Sequence, residues 1–424
     1  MIRDRVFAGL KSRFFYGWTI AGVAHLGIFV SGPGQSHTFS VFVEPISRDL
    51  GISSATIATA YGLATLAAAF ALPQMGRLVD RYGPRRMLAL ISVLLGVVCM
   101  GFGAVSSFLW LTIGFAVLRF FGQGSLMLTS ANLVSHWFDR KRGLAMSLMA
   151  LGFGLSMAVH PPLAQYLVAE IGWRQAWIVL GLMTWVIMLP PTWLLVRDKP
   201  EDVGLVPDGA ALSDGAEAED TALSGLSLAQ ALRTSSFYIL AAGWFAIAML
   251  VTTLHFYQVT LLTGQGVSPD LAAYLFTMSA LTMAVTMPLV GILFDRFPTH
   301  LVFALGLGIT AASLVVVTLA TDAVTAVAYA LVFGLNNAFS MTMLGYIWPR
   351  YFGRLHLGSI QGTGQMIGVV GASLGPLPVG LALDFIGDAT WTLRLLAVFP
   401  FCMSIIALAA LKTPEALDEP DRRQ

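Results

Sequence analysis

Twelve stretches of this chain are apolar for about 20 residues or more, the length a helix needs to cross the hydrocarbon core of a bilayer. They run over 17–43, 54–76, 87–106, 108–134, 143–168, 174–196, 236–263, 269–293, 299–320, 323–349, 358–383 and 389–411. Only one connection between them is long. It covers 197–233, opens on Arg197-Asp198-Lys199-Pro200 and continues in Gly, Ala, Asp and Glu, which is linker composition. It separates a half over 1–196 from a half over 234–424, each with six runs. Charged residues make up 11% of the chain, against roughly 25% in soluble proteins. The expectation is an all-α membrane protein of twelve transmembrane helices in two six-helix halves, with the lipid bilayer as its solvent.

Lysine and arginine set the orientation. With the N-terminus in the cytoplasm, 20 of the 24 basic residues fall inside. Arg48, Arg174 and Arg394 fall outside, and Arg119 lies within a span. Both termini are therefore expected in the cytoplasm. The first apolar run is longer than a signal-peptide core and is expected to stay as the first span. A net charge of +1 gives no argument for nucleic acid. Cys99 and Cys402 sit in apolar runs of opposite halves and read as buried small hydrophobes rather than a disulfide or metal pair.

The halves are related. Gly76-Arg77-Leu78-Val79-Asp80-Arg81-Tyr82-Gly83-Pro84-Arg85-Arg86 is a charged loop between the second and third runs, and Gly291-Ile292-Leu293-Phe294-Asp295-Arg296-Phe297 is its partial copy 215 residues on. At the same offset Gly51 pairs with Gly266, Ser53 with Ser268, Pro73 with Pro288, Gly143 with Gly358, Pro161 with Pro376, and Ile171-Gly172 with Ile386-Gly387. A parallel repeat of six spans is how many transporters frame a substrate site.

Twelve spans, a central linker and this loop pattern resemble the major facilitator superfamily. Two stretches narrow the resemblance. Phe15-Tyr16-Gly17-Trp18 opens the first span, which ends in Phe39-Ser40-Val41-Phe42. Trp137-Phe138-Asp139-Arg140-Lys141-Arg142-Gly143-Leu144-Ala145 joins the fourth and fifth. Together they are similar to the monocarboxylate transporters and their bacterial relatives, the oxalate:formate antiporters. The resemblance implies alternating access by rocking of the two halves around a midplane site. It also implies a gate built from Gly76, Asp80, Arg81, Gly83, Arg85, Arg86, Arg142, Gly291, Asp295 and Arg296.

The chain departs from that family where its members carry charge. Animal monocarboxylate carriers place a lysine late in span one, where this chain has His37. They carry an aspartate and an arginine in span eight, aligned here with Met283 and Met287. The oxalate:formate type has a lysine in span eleven, where this chain reads Gly362-Thr363-Gly364-Gln365-Met366-Ile367-Gly368. No lysine or arginine occupies the interior of a C-terminal span, which argues against a doubly charged dicarboxylate.

A charge at bilayer depth costs about 2.5–3.5 kcal/mol or more, so a residue kept there needs a reason. Arg119 is the one interior basic residue, in Arg119-Phe120-Phe121-Gly122-Gln123-Gly124. It reads as an anion-binding or coupling residue, against a structural cation capping helix carbonyls. Imidazole titrates near neutrality and can carry a proton. At about 1.5 Å per residue, His37, His160, His255 and Arg119 reach a similar depth, with His25 nearer the cytoplasm. His37 and His255 are candidates for substrate or proton contact; His160 precedes Pro161-Pro162 and has the alternative of serving a bend. Gln35, Gln123, Tyr257, Asn336, Asn337, Gln361 and Gln365 complete the candidate site, with Asn132, Tyr61 and Tyr274 behind them, and each alone could equally be interhelical glue.

No nucleotide-hydrolysing motif, acid–base pair or nucleophile constellation is present, so neither a primary pump nor an enzyme is expected, and no cofactor. The sequence points to a secondary transporter of a small organic anion, a monocarboxylate, coupled to protons. It is expected to act as a monomer in a prokaryotic inner membrane. The alternatives are an exporter of amphipathic or aromatic compounds and a non-transporting membrane receptor.

Overall fold

The computed structural model describes residues 7, 9, 14–138, 141–209, 225–353 and 357–412; the side chains of Asp80, Arg142, Gly143, Leu344, Leu357 and Gly358 lie outside that set. Among the described residues the fold is helical, apart from an isolated bridge between Gly225 and Gly353. Eleven helical spans are long and apolar enough to cross a membrane. The first span is different. Instead of one helix over 17–43 it comprises α1 (Gly17–Val30), a tight 3₁₀ turn at Gly32–Gly34, and α2 (Ser36–Leu50).

The break has a local cause. Pro33 offers no backbone N–H to continue the ladder. Its two glycine neighbours admit groups that no other residue would. A Cβ at Gly32 would overlap the His160 imidazole, and one at Gly34 would overlap the Leu118 carbonyl. Gln35 is extended, with φ −100° and ψ 149°, and the chain re-enters a helix at Ser36.

The remaining helices follow in pairs. They are α3 (Ser54–Tyr82), α4 (Pro84–Phe102), α5 (Phe108–Trp137), α6 (Arg142–Ile171) and α7 (Trp173–Leu195). After the linker come α8 (Ser235–Gly264), α9 (Pro269–Arg296), α10 (Thr299–Val317) and α11 (Ala323–Phe352). Then come α12 (Leu357–Leu374), α13 (Pro376–Phe385) and α14 (Thr390–Ala410). The 215-residue repeat is carried in the element boundaries. Pro84–Phe102 and Thr299–Val317 are related by it at both ends, as are Phe108–Trp137 and Ala323–Phe352. Turn glycines repeat as well: Gly51 and Gly266 have φ of 61° and 92°, Gly172 and Gly387 of 81° and 76°.

Contacts divide the described residues into two compact units, one within Met1–Ile52 and Leu63–Ala218, the other within Ser53–Gly62 and Glu219–Gln424. In the first, α1 packs on α6 and α4 on α7. Gly152 of α6 lies against the His25 carbonyl of α1, and Gly181 of α7 against the Gly96 carbonyl of α4. Without a hydrophobic drive between helices in lipid, such small residues let backbones approach and gain dispersion. In the second unit α9 packs on α11, α10 on α14 and α8 on α12. There Gly364 and Gly368 of α12 seat the indoles of Trp348 and Trp244. Cys99 is buried as expected, but Cys402 is exposed on α14.

The charged loop of the first unit is capped by the linker. Gly83 turns at φ 82°, open to glycine. The Arg85 amide at the start of α4 donates to Asp198 Oδ1 at 2.8 Å. A carboxylate is favoured there by the exposed N–H groups of the helix end. The Trp137 indole donates to the Arg197 carbonyl at 3.1 Å, and the Lys141 amide to Asp208 Oδ1 at 3.3 Å. In the second unit the Leu226 amide donates to the Phe352 carbonyl at 2.8 Å. Ser227 and Gln230 form a capping box on the short helix Leu228–Ala231.

Candidate functional site

The break in the first span gathers the polar residues of the first unit. Arg119 opens a π-helical stretch of α5, Arg119–Leu126. The Ser125 hydroxyl reaches five residues back to the Phe120 carbonyl at 2.7 Å, in keeping with the wide turn. Such stretches are rare and concentrate at functional sites. The bulge lies at Gly122, where a Cβ would come within 2.9 Å of the Gly34 Cα. Arg119 is 3% exposed. Its Nη1 donates to the Gly34 carbonyl at 3.3 Å and to Ser36 Oγ at 3.4 Å, the two sides of the break. No Asp or Glu occurs in 17–34, 84–102 or 108–137, the stretches that pack about Arg119–Leu126.

His37, on the first turn of α2, faces α6. Its Nε2 lies 3.2 Å from Ser156 Oγ. The same hydroxyl lies 3.2 Å from His160 Nδ1, which is also 3.1 Å from the Ser156 carbonyl. Phe153 and Phe29 flank the two imidazoles. Gln35 donates to Ser31 Oγ at 3.0 Å and approaches Met127 Sδ at 3.5 Å, bridging the break to α5. Gln123 is half-buried in the π stretch. His25 is apart from this group, with Nδ1 3.0 Å from the Leu148 carbonyl.

The second unit holds neutral polar groups among aromatic rings. His255 is buried, its ring 4.9 Å from that of Phe333 and stacked on Phe276 at 6.2 Å. Asn336 accepts from Thr310 at 2.9 Å, and Asn337 donates to the Phe333 carbonyl at 2.8 Å. Asn336 Nδ2, Asn337 Oδ1 and the indole nitrogens of Trp244 and Trp348 are buried and have no hydrogen-bond partner among the described residues. The Tyr257 hydroxyl donates to the Ser54 carbonyl at 2.9 Å, and Tyr61 is buried against Phe256. Gln361 is half-buried, while Gln365 and Tyr274 are exposed.

At the charged loops, the Arg81 guanidinium lies over the Tyr82 ring at 5.3 Å. Arg85 is half-buried and Arg86 exposed. The Tyr346 hydroxyl donates toward Asp295 Oδ1 at 2.8 Å, and Arg296 is exposed. The side chains of Asp80 and Arg142 lie outside the described residues. Three contributors escaped the sequence reading. Gly32-Pro33-Gly34 was a legible breaker inside an apolar run. Asp198 beside Pro200 resembled ordinary linker. Ser156 carries no signal, because one serine in a span looks like any other.

A sequence model described as Major Facilitator Superfamily matches residues 24–263 and 257–424. The chain belongs to this superfamily. A major facilitator is a multi-span membrane transporter of a small molecule, not an enzyme. Monocarboxylate transporter 13 of Bos taurus is 25% identical over 388 residues, 89% of this chain and 83% of that one. The oxalate:formate antiporter of Oxalobacter formigenes is 28% identical over 158 residues, which is 37% of each chain. In fold, the chain matches an inward-facing, occupied bacterial homolog of the human lysosomal transporter Spinster. The TM-score is 0.70 at 15% identity, over 96% of this chain and 98% of that one.

Proposed function

We propose that this major facilitator is a secondary active transporter of a small organic anion, a monocarboxylate, coupled to protons. The observation that carries this reading is Arg119, a 3% exposed guanidinium at the break in span one. The stretches that pack about it, 17–34, 84–102 and 108–137, contain no acidic residue. A buried cation in such surroundings gains from an anionic ligand. Planar guanidinium is also the donor that matches a carboxylate. The likeness to monocarboxylate transporter 13 and the oxalate:formate antiporter supports the same class. One buried arginine, with no buried lysine or arginine counterpart among the described residues of 234–424, favours one carboxylate over two.

The rest of the proposal follows from that class. Gln35, Gln123, His37 and His160 accompany Arg119 in binding. His255, Asn336, Asn337 and Gln361 supply neutral polar contacts, with Gln365 and Tyr257 further candidates. The halves 1–196 and 234–424, joined by 197–233, alternate access as a monomer in a prokaryotic inner membrane with both termini cytoplasmic. Gly76, Asp80, Arg81, Gly83, Arg85, Arg86 and Arg142 gate one half; Gly291, Asp295 and Arg296 gate the other.

The aromatic setting of His255, with two indole donors in the same unit, favours one alternative, an exporter of aromatic or amphipathic compounds. A thermal-shift screen of purified protein against monocarboxylates and aromatic amines separates the two. A ligand at 100 times its Kd stabilises by about 2.7 kcal/mol. Wild-type protein is expected to be stabilised by a monocarboxylate, and Arg119→Gln to lose that response while keeping its ligand-free melting temperature. Stabilisation by amines alone, or a full carboxylate response in Arg119→Gln, overturns the proposal.

A further inference from the structure

We propose that His37, Ser156 and His160 form a single-proton site whose occupancy is linked to the charge on Arg119. The inference rests on the transport reading for its purpose, but not for its chemistry. Hydrogen-bond direction is decided by one atom. The Ser156 carbonyl can only accept, so His160 Nδ1, 3.1 Å away, carries hydrogen. That N–H also points at Ser156 Oγ at 3.2 Å. The serine hydroxyl therefore accepts from His160 and sends its own hydrogen to His37 Nε2, 3.2 Å away. His37 in its neutral form then holds its proton on Nδ1.

A proton added to His160 Nε2 leaves every one of these bonds in place. From there it can move as a charge without a travelling atom. His160 Nδ1–H passes to Ser156 Oγ, and the serine hydrogen passes to His37 Nε2. One N–H and one O–H bond break, one O–H and one N–H form, and the positive charge ends on His37. The transfer leaves His160 as its other tautomer, with a lone pair facing the Ser156 carbonyl. Two protons would leave the serine hydrogen without either imidazole as acceptor and place two cations on one hydroxyl. The trio takes one.

The buried charged group on the same break is Arg119, bonded to Ser36 beside His37 and to the Gly34 carbonyl. Gly32 of the same break lies against the His160 ring. His25 meets α6 at Leu148, two turns from Ser156. Glu44, Arg48 and Asp49 of α2 and Glu170 of α6 are exposed, and Arg174 of α7 pairs with Asp49. Arg119 therefore opposes the proton, and an anion that screens Arg119 favours it. By linkage the proton favours the anion equally, which makes the pair a symport device.

The test is histidine-selective ¹⁵N NMR of the purified full chain between pH 4 and 9, with resonances assigned by single His→Gln variants. No transported ligand is needed, so failure of the carboxylate reading leaves the result standing. The expected outcome has both rings as Nδ1–H tautomers at high pH, and both sets of resonances moving in one shared step. Ser156→Ala separates them into independent behaviour, and Ser156→Thr keeps the shared step. Arg119→Gln raises proton affinity roughly tenfold, the order expected for removing one nearby like charge at an intermediate dielectric. Two independent titrations in wild type, a His160 Nε2–H tautomer at high pH, or a Ser156→Ala spectrum with coupling intact overturns the proposal. So does an Arg119→Gln titration at the wild-type pH.

Discussion

The two units follow one 215-residue plan, yet they differ at its first span. In the first, span one is cut at Gly32–Gly34, and α6 runs unbroken through Pro161 and Pro162. In the second, α8 runs unbroken for 30 residues, and α12 passes into α13 through Gly375, which keeps helical angles of −53° and −53° and donates to the Gly371 carbonyl at 3.0 Å. The repeat pairs His160 with Gly375 and Arg119 with Gly334. Where the first unit inserts an imidazole against Gly32, the second has a glycine against the Met249 carbonyl. Where the first places a guanidinium, the second has a glycine within 2.5 Å of the Ser279 carbonyl, measured from its ideal Cβ. At both positions the choice is the same: a large polar side chain with a distorted neighbour, or a glycine with close helices. At these two positions the duplicated scaffold holds polar side chains in one copy and close helix contact in the other.

That contrast can be broken experimentally. Gly334→Leu carries the largest expected effect, about 3 kcal/mol of destabilisation from overpacking. Thermal unfolding in detergent checks it, and a neutral result would mean that α9 and α11 do not need the close approach. A smaller effect is expected at the complementary contact. Gly32→Ala alone is expected to cost about 2 kcal/mol, because its Cβ overlaps His160. Adding His160→Ala is expected to recover about 1 kcal/mol of it in a double-mutant cycle. Strict additivity would separate the break from the histidine. The smallest concerns the loops, where Gly83 pairs with Pro298 in the repeat and, among the described residues, the linker carboxylate caps the first unit's helix. Asp198→Ala is expected to cost about 1 kcal/mol, as for a lost helix cap. The same scan of thermal unfolding reads it.

Much of this architecture was legible in the chain. Apolar length marked eleven spans that the described residues form, and the 215-residue offset seen in the sequence also relates the helix ends of the two halves at several positions. Arg119 stood out because charge at bilayer depth is costly, and the structure puts it beside Ser36 and one residue from His37. What stayed hidden was direction. Tyr257 and Gln365 looked as eligible as Gln35, but polarity does not say which way a side chain points. The Tyr257 hydroxyl is used by the Ser54 carbonyl, and Gln365 is exposed. The cut in span one was missed because hydropathy sums across Gly-Pro-Gly without registering the lost backbone bonds. Ser156 was invisible because its role exists only once α2 meets α6.

The anchoring of the linker has a mechanical consequence. Asp198 and Asp208 tie its start to the first unit, and Leu226 ties its end to the second. The tether is therefore shorter than the 197–233 that composition marks out. Between Asp208 and Gly225 the chain can reach about 60 Å at full extension. The leash thus sets a ceiling on how far these two anchor points can separate in any state the transporter visits.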